Sequence, residues 1–124
     1  MFKKSNNSRL ESLIGSNSGF RGDVDAKGAL RVDGALEGNI TAEYVIIGEK
    51  AYIKGNITAM GITIGGKVEG NLESKGLVEI TPKGFVSGDI VTAKLAIAEG
   101  GTYSGRVLMD ENKSNVVEFQ AKDG

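Results

Sequence analysis

One short unit recurs six times along this chain, and it limits the fold more than any other feature. A glycine is followed by one residue and then an aliphatic, with a large apolar residue two positions before it. The copies are Phe20-Arg21-Gly22-Asp23-Val24, Leu36-Glu37-Gly38-Asn39-Ile40, Ile53-Lys54-Gly55-Asn56-Ile57, Val68-Glu69-Gly70-Asn71-Leu72, Val86-Ser87-Gly88-Asp89-Ile90 and Tyr103-Ser104-Gly105-Arg106-Val107. The glycines are separated by 16, 17, 15, 18 and 17 residues. Repeats of fixed length point to an array in which each unit buries its apolar face against its neighbours. A second apolar element precedes the copies: Leu30-Arg31-Val32, Val45-Ile46-Ile47, Ile62-Thr63-Ile64, Val78-Glu79-Ile80 and Leu95-Ala96-Ile97, with Ile14 in the corresponding place of the first.

Within each unit apolar residues alternate with polar ones and are interrupted by Gly, Asn, Asp or Lys-Gly. That is strand and turn chemistry. Val and Ile supply 21 of the 29 aliphatic residues, which suits a pleated surface. Units of 15 to 18 residues are too short for helix pairs and match one coil of a parallel β-helix. The expectation is an all-β protein with about six coils over residues 12–109. Strand spacing makes such a rod roughly 29 Å long. Residues 1–11 and 110–124 are expected to be flexible tails.

Stacking carries an internal test, because equivalent positions must lie above one another. Val32, Ile47, Ile64, Ile80 and Ile97 form one apolar column. Val24, Ile40, Ile57, Leu72, Ile90 and Val107 form another. Before the motif glycine stand Arg21, Glu37, Lys54, Glu69, Ser87 and Ser104, the first four alternating in charge. After it stand Asp23, Asn39, Asn56, Asn71, Asp89 and Arg106, an Asn-rich ladder whose side-chain amides are expected to bond along the stack. Gly65-Gly66 and Gly100-Gly101 read as corner glycines with positive φ.

Both ends of a β-helix expose unpaired backbone and a section of core. Ser8-Arg9-Leu10-Glu11 has the form of a capping box, and Leu10, Leu13 and Ile14 have helical spacing, so a single helical turn over the first coil is expected. At the other end Tyr103, Val107, Leu108 and Met109 are apolar. They have two readings: a last coil covered by its own tail, or an end that pairs with another copy and builds a filament.

The repeated Gly-Asn/Asp-Ile units, Gly22-Asp23-Val24, Leu30-Arg31-Val32-Asp33-Gly34 and Gly105-Arg106-Val107-Leu108-Met109 resemble the bactofilins over about residues 1–109. The resemblance implies a right-handed β-helix that polymerises end to end without nucleotide, head to head and tail to tail, into non-polar filaments. It implies a cytoplasmic scaffold on the inner face of the membrane that helps place cell-shape or cell-wall machinery. Met1, Phe2, Lys3 and Lys4 resemble the family's membrane-targeting start. Ile14 and Phe20 on one side, with Tyr103, Val107, Leu108 and Met109 on the other, correspond to its polymerisation ends. Membrane lipids and wall or shape proteins are the implied partners besides the chain itself.

Composition removes most catalytic alternatives. There are no cysteines and no histidines, so thiolate chemistry, a Ser-His-Asp triad and imidazole zinc sites cannot be built. No nucleotide-binding glycine motif opens a helix. Asp23 with Asp25, and Asp89 with Glu79, read as solvated carboxylates rather than a glycosidase pair. No enzyme, cofactor or metal is expected. A net charge of −1 gives no basic footprint for nucleic acid. The alternative function is a monomeric or small-oligomer β-helix module that binds a protein or glycan.

Overall fold

A computed structural model of the chain describes residues 10–109 and 115–119. These residues form a parallel β-solenoid with three faces, and the chain crosses each face six times. On the first face lie Leu10–Ile14, Ala29–Val32, Tyr44–Ile47, the later parts of Ile57–Ile64 and Leu72–Ile80, and Lys94–Ile97. On the second lie Gly19–Arg21, Ala35–Glu37, Tyr52–Lys54, Lys67–Glu69, Phe85–Ser87 and the start of Thr102–Met109. On the third lie Val24–Asp25, Ile40–Thr41, the starts of Ile57–Ile64 and Leu72–Ile80, Ile90–Thr92 and the end of Thr102–Met109. Six passages enclose about five full turns, slightly fewer than the six coils expected. The first and last rungs are therefore about 24 Å apart.

Both predicted apolar columns stack in register, and every member from Val24 to Val107 in the second is buried. The third inward column runs Phe20, Leu36, Ile53, Val68, Val86 and Tyr103. Variation in unit length is confined to corners. Between first and second face the chain takes two residues at Asp33-Gly34 and Gly65-Gly66, but four at Gly48–Ala51, Thr81–Gly84 and Ala98–Gly101. Each four-residue corner is closed by a hydrogen bond from its last N–H to its first carbonyl, as in Ala51 to Gly48 at 3.1 Å. Gly100 has φ +100° and fits the positive-φ expectation, whereas Gly65, Gly66 and Gly101 do not. Gly66 is needed for room. A Cβ there would lie 2.3 Å from the Gly48 carbonyl oxygen and 2.6 Å from that of Ala51.

The six motif glycines have φ between 141° and 152°, a region that side chains disfavour. They also stack with no space between them. A Cβ on Gly38, Gly55, Gly70, Gly88 or Gly105 would sit 1.8–2.0 Å from the carbonyl oxygen of the preceding motif glycine. The hydrogen that replaces Cβ therefore points at that oxygen. With the glycine carbonyl so directed, the next residue's N–H bonds a side chain instead. The N–H of Asn39 donates to Oδ1 of Asp23 at 2.9 Å, and those of Asn56, Asn71 and Asp89 to Oδ1 of Asn39, Asn56 and Asn71 at 3.0 Å. The ladder thus bonds along the stack as expected, each side-chain oxygen accepting from a backbone N–H of the next coil. Asp can serve in it because only the acceptor oxygen is used.

Two further expectations change. Residues Leu10–Ile14 form a parallel strand against Ala29–Val32, not a helical turn. Extended pairing satisfies backbone groups that one helical turn would leave open. Within the expected C-terminal tail, Asn115–Phe119 form a strand antiparallel to Gly105–Met109.

The glycine stack yields a graded prediction. Gly55→Ala is expected to destabilise the fold by more than about 3 kcal/mol, since it combines backbone strain with a backbone clash. Gly22→Ala, whose Cβ would meet only the Phe20 ring at 3.4 Å, is expected to cost about 1–3 kcal/mol from strain. Urea unfolding midpoints of the two variants check the order.

Candidate functional site

Among the described residues the strands pair from rung to rung along the rod, so the terminal rungs, which have a neighbour on one side, are the candidate site. At the N-terminal end Ile14 belongs to Leu10–Ile14 and aligns with Val32. Phe20 begins the second-face inward column. It is 40% exposed, while Leu36 directly above it is 2% exposed. The difference arises from position, since among the described residues no coil lies beneath Phe20. Arg21 beside it pairs with Glu37 at 3.4 Å, both well exposed. The first step of the predicted charge alternation is thus an ion pair of small energetic weight. Among the described residues Lys54 makes none, although it stands in register with Glu37 and Glu69. Glu69 instead lies 3.8 Å from Lys67 of its own strand. Lys67 in turn sits over the rings of Tyr52 and Phe85, at 5.4 and 5.6 Å. A hydrogen bond with Glu69 raises the Tyr52 phenol pKa above its ordinary value.

At the C-terminal end Tyr103, Val107, Leu108 and Met109 share the strand Thr102–Met109. Tyr103 and Val107 are buried, and Leu108 and Met109 are half-buried. Tyr103 closes the second-face column. Its hydroxyl lies 2.9 Å from the Gly88 carbonyl oxygen and also reaches that of Arg106, to either of which it donates. Burial, with a smaller contribution from the Asp89 charge, pushes this phenol up to about 12. Val107, Leu108 and Met109 pair with Val117, Val116 and Asn115, so a strand of the chain itself lines this edge on the third face.

The first face is different. Nothing among the described residues follows Lys94–Ile97 there. Ile97 is 36% exposed although its column partners Val32, Ile47, Ile64 and Ile80 are at most 1% exposed. Leu95 beside it is partly buried. Both belong to the terminal surface; the sequence sets Ile97 in an apolar column and Leu95 at the start of the same apolar element. The signal lies in the repeats, the last of which ends near Met109; among the described residues no further first-face strand covers Ile97. Met1, Phe2, Lys3 and Lys4 lie outside the described residues. Among the described residues no group of acidic side chains is arranged to hold a metal ion. No described helix is long and apolar enough to cross a membrane.

A rod that, among the described residues, is paired rung to rung along its sides and brings core side chains to its two end surfaces belongs to the class of parallel β-solenoids. The chain is a member of the bactofilin family: that family's model, described as polymer-forming cytoskeletal, matches residues 12–108. Bactofilin BacO of Myxococcus xanthus strain DK1622 is 26% identical over 110 residues, covering 88% of this chain and 87% of that protein. Bactofilin BacP of the same organism is 29% identical over 101 residues, covering 81% of this chain and 42% of that protein. The cryo-EM reconstruction of Thermus thermophilus bactofilin double helical filaments aligns with a TM-score of 0.71 at 21% identity. It covers 79% of this chain and 97% of that chain. At that identity the likeness concerns the fold.

The buried phenol gives a pH prediction. Folding raises the Tyr103 pKa, so the unfolded chain loses this proton first, from about pH 10. The stability linked to it is complete below that pH and declines as pH rises toward 12. Tyr103→Phe is expected to cost about 1 kcal/mol at pH 7 through the lost hydrogen bond. The deficit relative to the unmodified chain should shrink between pH 10 and 12. Thermal unfolding across that range checks this; a deficit independent of pH would contradict it.

Proposed function

We propose that this bactofilin is a bacterial cytoskeletal scaffold that joins end to end, without nucleotide, into filaments at the inner face of the cytoplasmic membrane. There it positions cell-shape or cell-wall machinery. The observation that carries the reading is the difference between Phe20 or Ile97 and the buried members of their own columns. Each would be covered by one more rung, and another copy supplies that rung. Backbone pairing at the open strand edges plus apolar contact is β-augmentation between copies. Two like ends meeting give two-fold contacts, head to head at Ile14 and Phe20 and tail to tail near Leu95, Ile97, Tyr103, Val107, Leu108 and Met109. Alternating these contacts makes an open, non-polar polymer. The double helical filaments of the Thermus protein support carrying paired strands over to this chain as part of the proposal. No residue motif for nucleotide binding enters the assembly.

Membrane attachment is assigned to Met1, Phe2, Lys3 and Lys4. Each lysine near an anionic surface contributes about 1 kcal/mol. One tail therefore binds weakly, while a filament presents many tails and binds by avidity. The second reading, a monomeric or small-oligomer binding module, draws on the strand Asn115–Phe119 that lines the third-face edge of the last coil. The two readings separate on concentration dependence.

Negative-stain microscopy of the purified chain without nucleotide is expected to show filaments. Phe20→Lys and Ile97→Lys should leave short particles, each blocking one kind of end. Leu108→Lys should shorten filaments less than Ile97→Lys, because Leu108 already faces a strand of its own chain. Discrete particles of the unmodified chain at all concentrations would instead establish the module reading. Removing residues 1–4 should abolish co-sedimentation with anionic vesicles while leaving filaments intact.

A further inference from the structure

On the side of the rod, between the third and first faces, three large apolar side chains are exposed on successive rungs. Tyr44 is 53% exposed, Met60 47% and Leu77 39%. Tyr44, Gly61 and Leu77 are neighbours in register, and Met60 adjoins Gly61. Gly61 keeps the ridge flat. A Cβ there would lie 2.8 Å from two carbons of the Tyr44 ring, so the ring rests over the glycine. Scattered surface apolar residues need no explanation, but a contiguous set does. This set occupies the third to fifth of six rungs, away from the end surfaces.

We propose that this ridge is a lateral contact with a second copy of the chain, running antiparallel about a two-fold axis through the Met60–Gly61 rung. The inference rests on the polymer reading and assigns residues to its side-by-side contact. Charge complementarity selects the occupant and its direction. Exposed Glu43 stands one rung before Met60, since its carbonyl accepts the Met60 N–H at 2.8 Å. Exposed Lys75 stands one rung after, next to Gly76, whose Cβ would meet the Met60 carbonyl oxygen at 2.7 Å. A two-fold through the middle rung brings Glu43 of each copy to Lys75 of the other and Tyr44 to Leu77. A copy aligned in register in the same direction would set Glu43 on Glu43 and Lys75 on Lys75. An anionic lipid surface would meet the Glu43 carboxylate beside the apolar ridge. Each subunit of a filament repeats the contact, so a weak pair becomes a stable doublet.

The chain has no cysteine, which makes cross-linking of the full-length protein clean. Under oxidation Met60→Cys is expected to give disulfide-linked dimers on its own. Tyr44→Cys and Leu77→Cys should give few dimers separately and many when mixed. Microscopy of Leu77→Glu should show single strands as long as the doublets of the unmodified chain. Cross-linking is read whether or not filaments form. No filaments with a strong Met60→Cys dimer would remove the polymer reading and keep the lateral contact. Filaments without that dimer would remove the lateral contact and keep the polymer. Loss of both removes both. Efficient self-linking of Tyr44→Cys and Leu77→Cys separately, with no gain on mixing, would overturn the antiparallel arrangement. No Met60→Cys dimer, with phosphatidylglycerol-vesicle binding that Leu77→Glu abolishes, would make the ridge a lipid surface and overturn the proposal.

Discussion

The contact between each motif glycine and the carbonyl oxygen of the motif glycine below fixes one corner of every coil. No side-chain carbon fits in that gap, and the backbone angle is one that glycine tolerates. Once the corner is fixed, the residue before the glycine and the residue after it fall into columns. The N–H that the turned carbonyl cannot serve is taken by an Asp or Asn side chain from the coil below. The Asn ladder is therefore a consequence of the glycine stack rather than a second, independent device. The aliphatic that follows is held facing inward, where the Val24 to Val107 column fills the interior. Local backbone geometry and core packing thus specify the same register, as expected of a sequence with little internal conflict.

This arrangement separates the rod into sides and ends with different physics. Along the sides, backbone groups bond to the coils above and below, and outward residues tolerate Arg, Glu, Lys or Ser in one column. At the ends, the inward columns of the other two faces come to the surface, and burial changes abruptly from Leu36 to Phe20 and from Ile80 to Ile97. Tyr103 shows a different solution. Its ring continues the column, and its hydroxyl reaches backbone oxygens that a Val or Ile could not. Among the described residues the last coil is thereby finished on the second face and uncovered on the first. A strand of the chain lines the third.

The repeat period, the strand faces and two inward columns were legible because side chains in a parallel stack must recur at equivalent positions. The charge column was legible as a register but not as a set of ion pairs. Lys54 and Glu69 are adjacent in register, yet Glu69 lies against Lys67, whose position over Tyr52 and Phe85 no count of motif positions reveals. Leu10–Ile14 misled because helical spacing and a capping-box pattern are local signals, whereas pairing with Ala29–Val32 is a non-local one. Asn115–Phe119 was hidden for a related reason. It lies outside the repeat and runs antiparallel, so no column predicts it. The terminal surface was half legible: Tyr103 to Met109 stood out as apolar, while Ile97 blended into its own column.

The two- and four-residue corners have a consequence for the length of the rod. Changes in unit length are absorbed mainly where the chain passes from first to second face, and by one residue between third and first, where the register shifts between Ser74 and Leu77. Coils are therefore nearly interchangeable, whereas the terminal rungs are not. Insertion or loss of a whole interior coil would move the ends apart or together by about 4.8 Å without altering either joint. Subunit length is in this sense a ruler with fixed divisions. In a filament it would set how far apart anything carried on the tails is held.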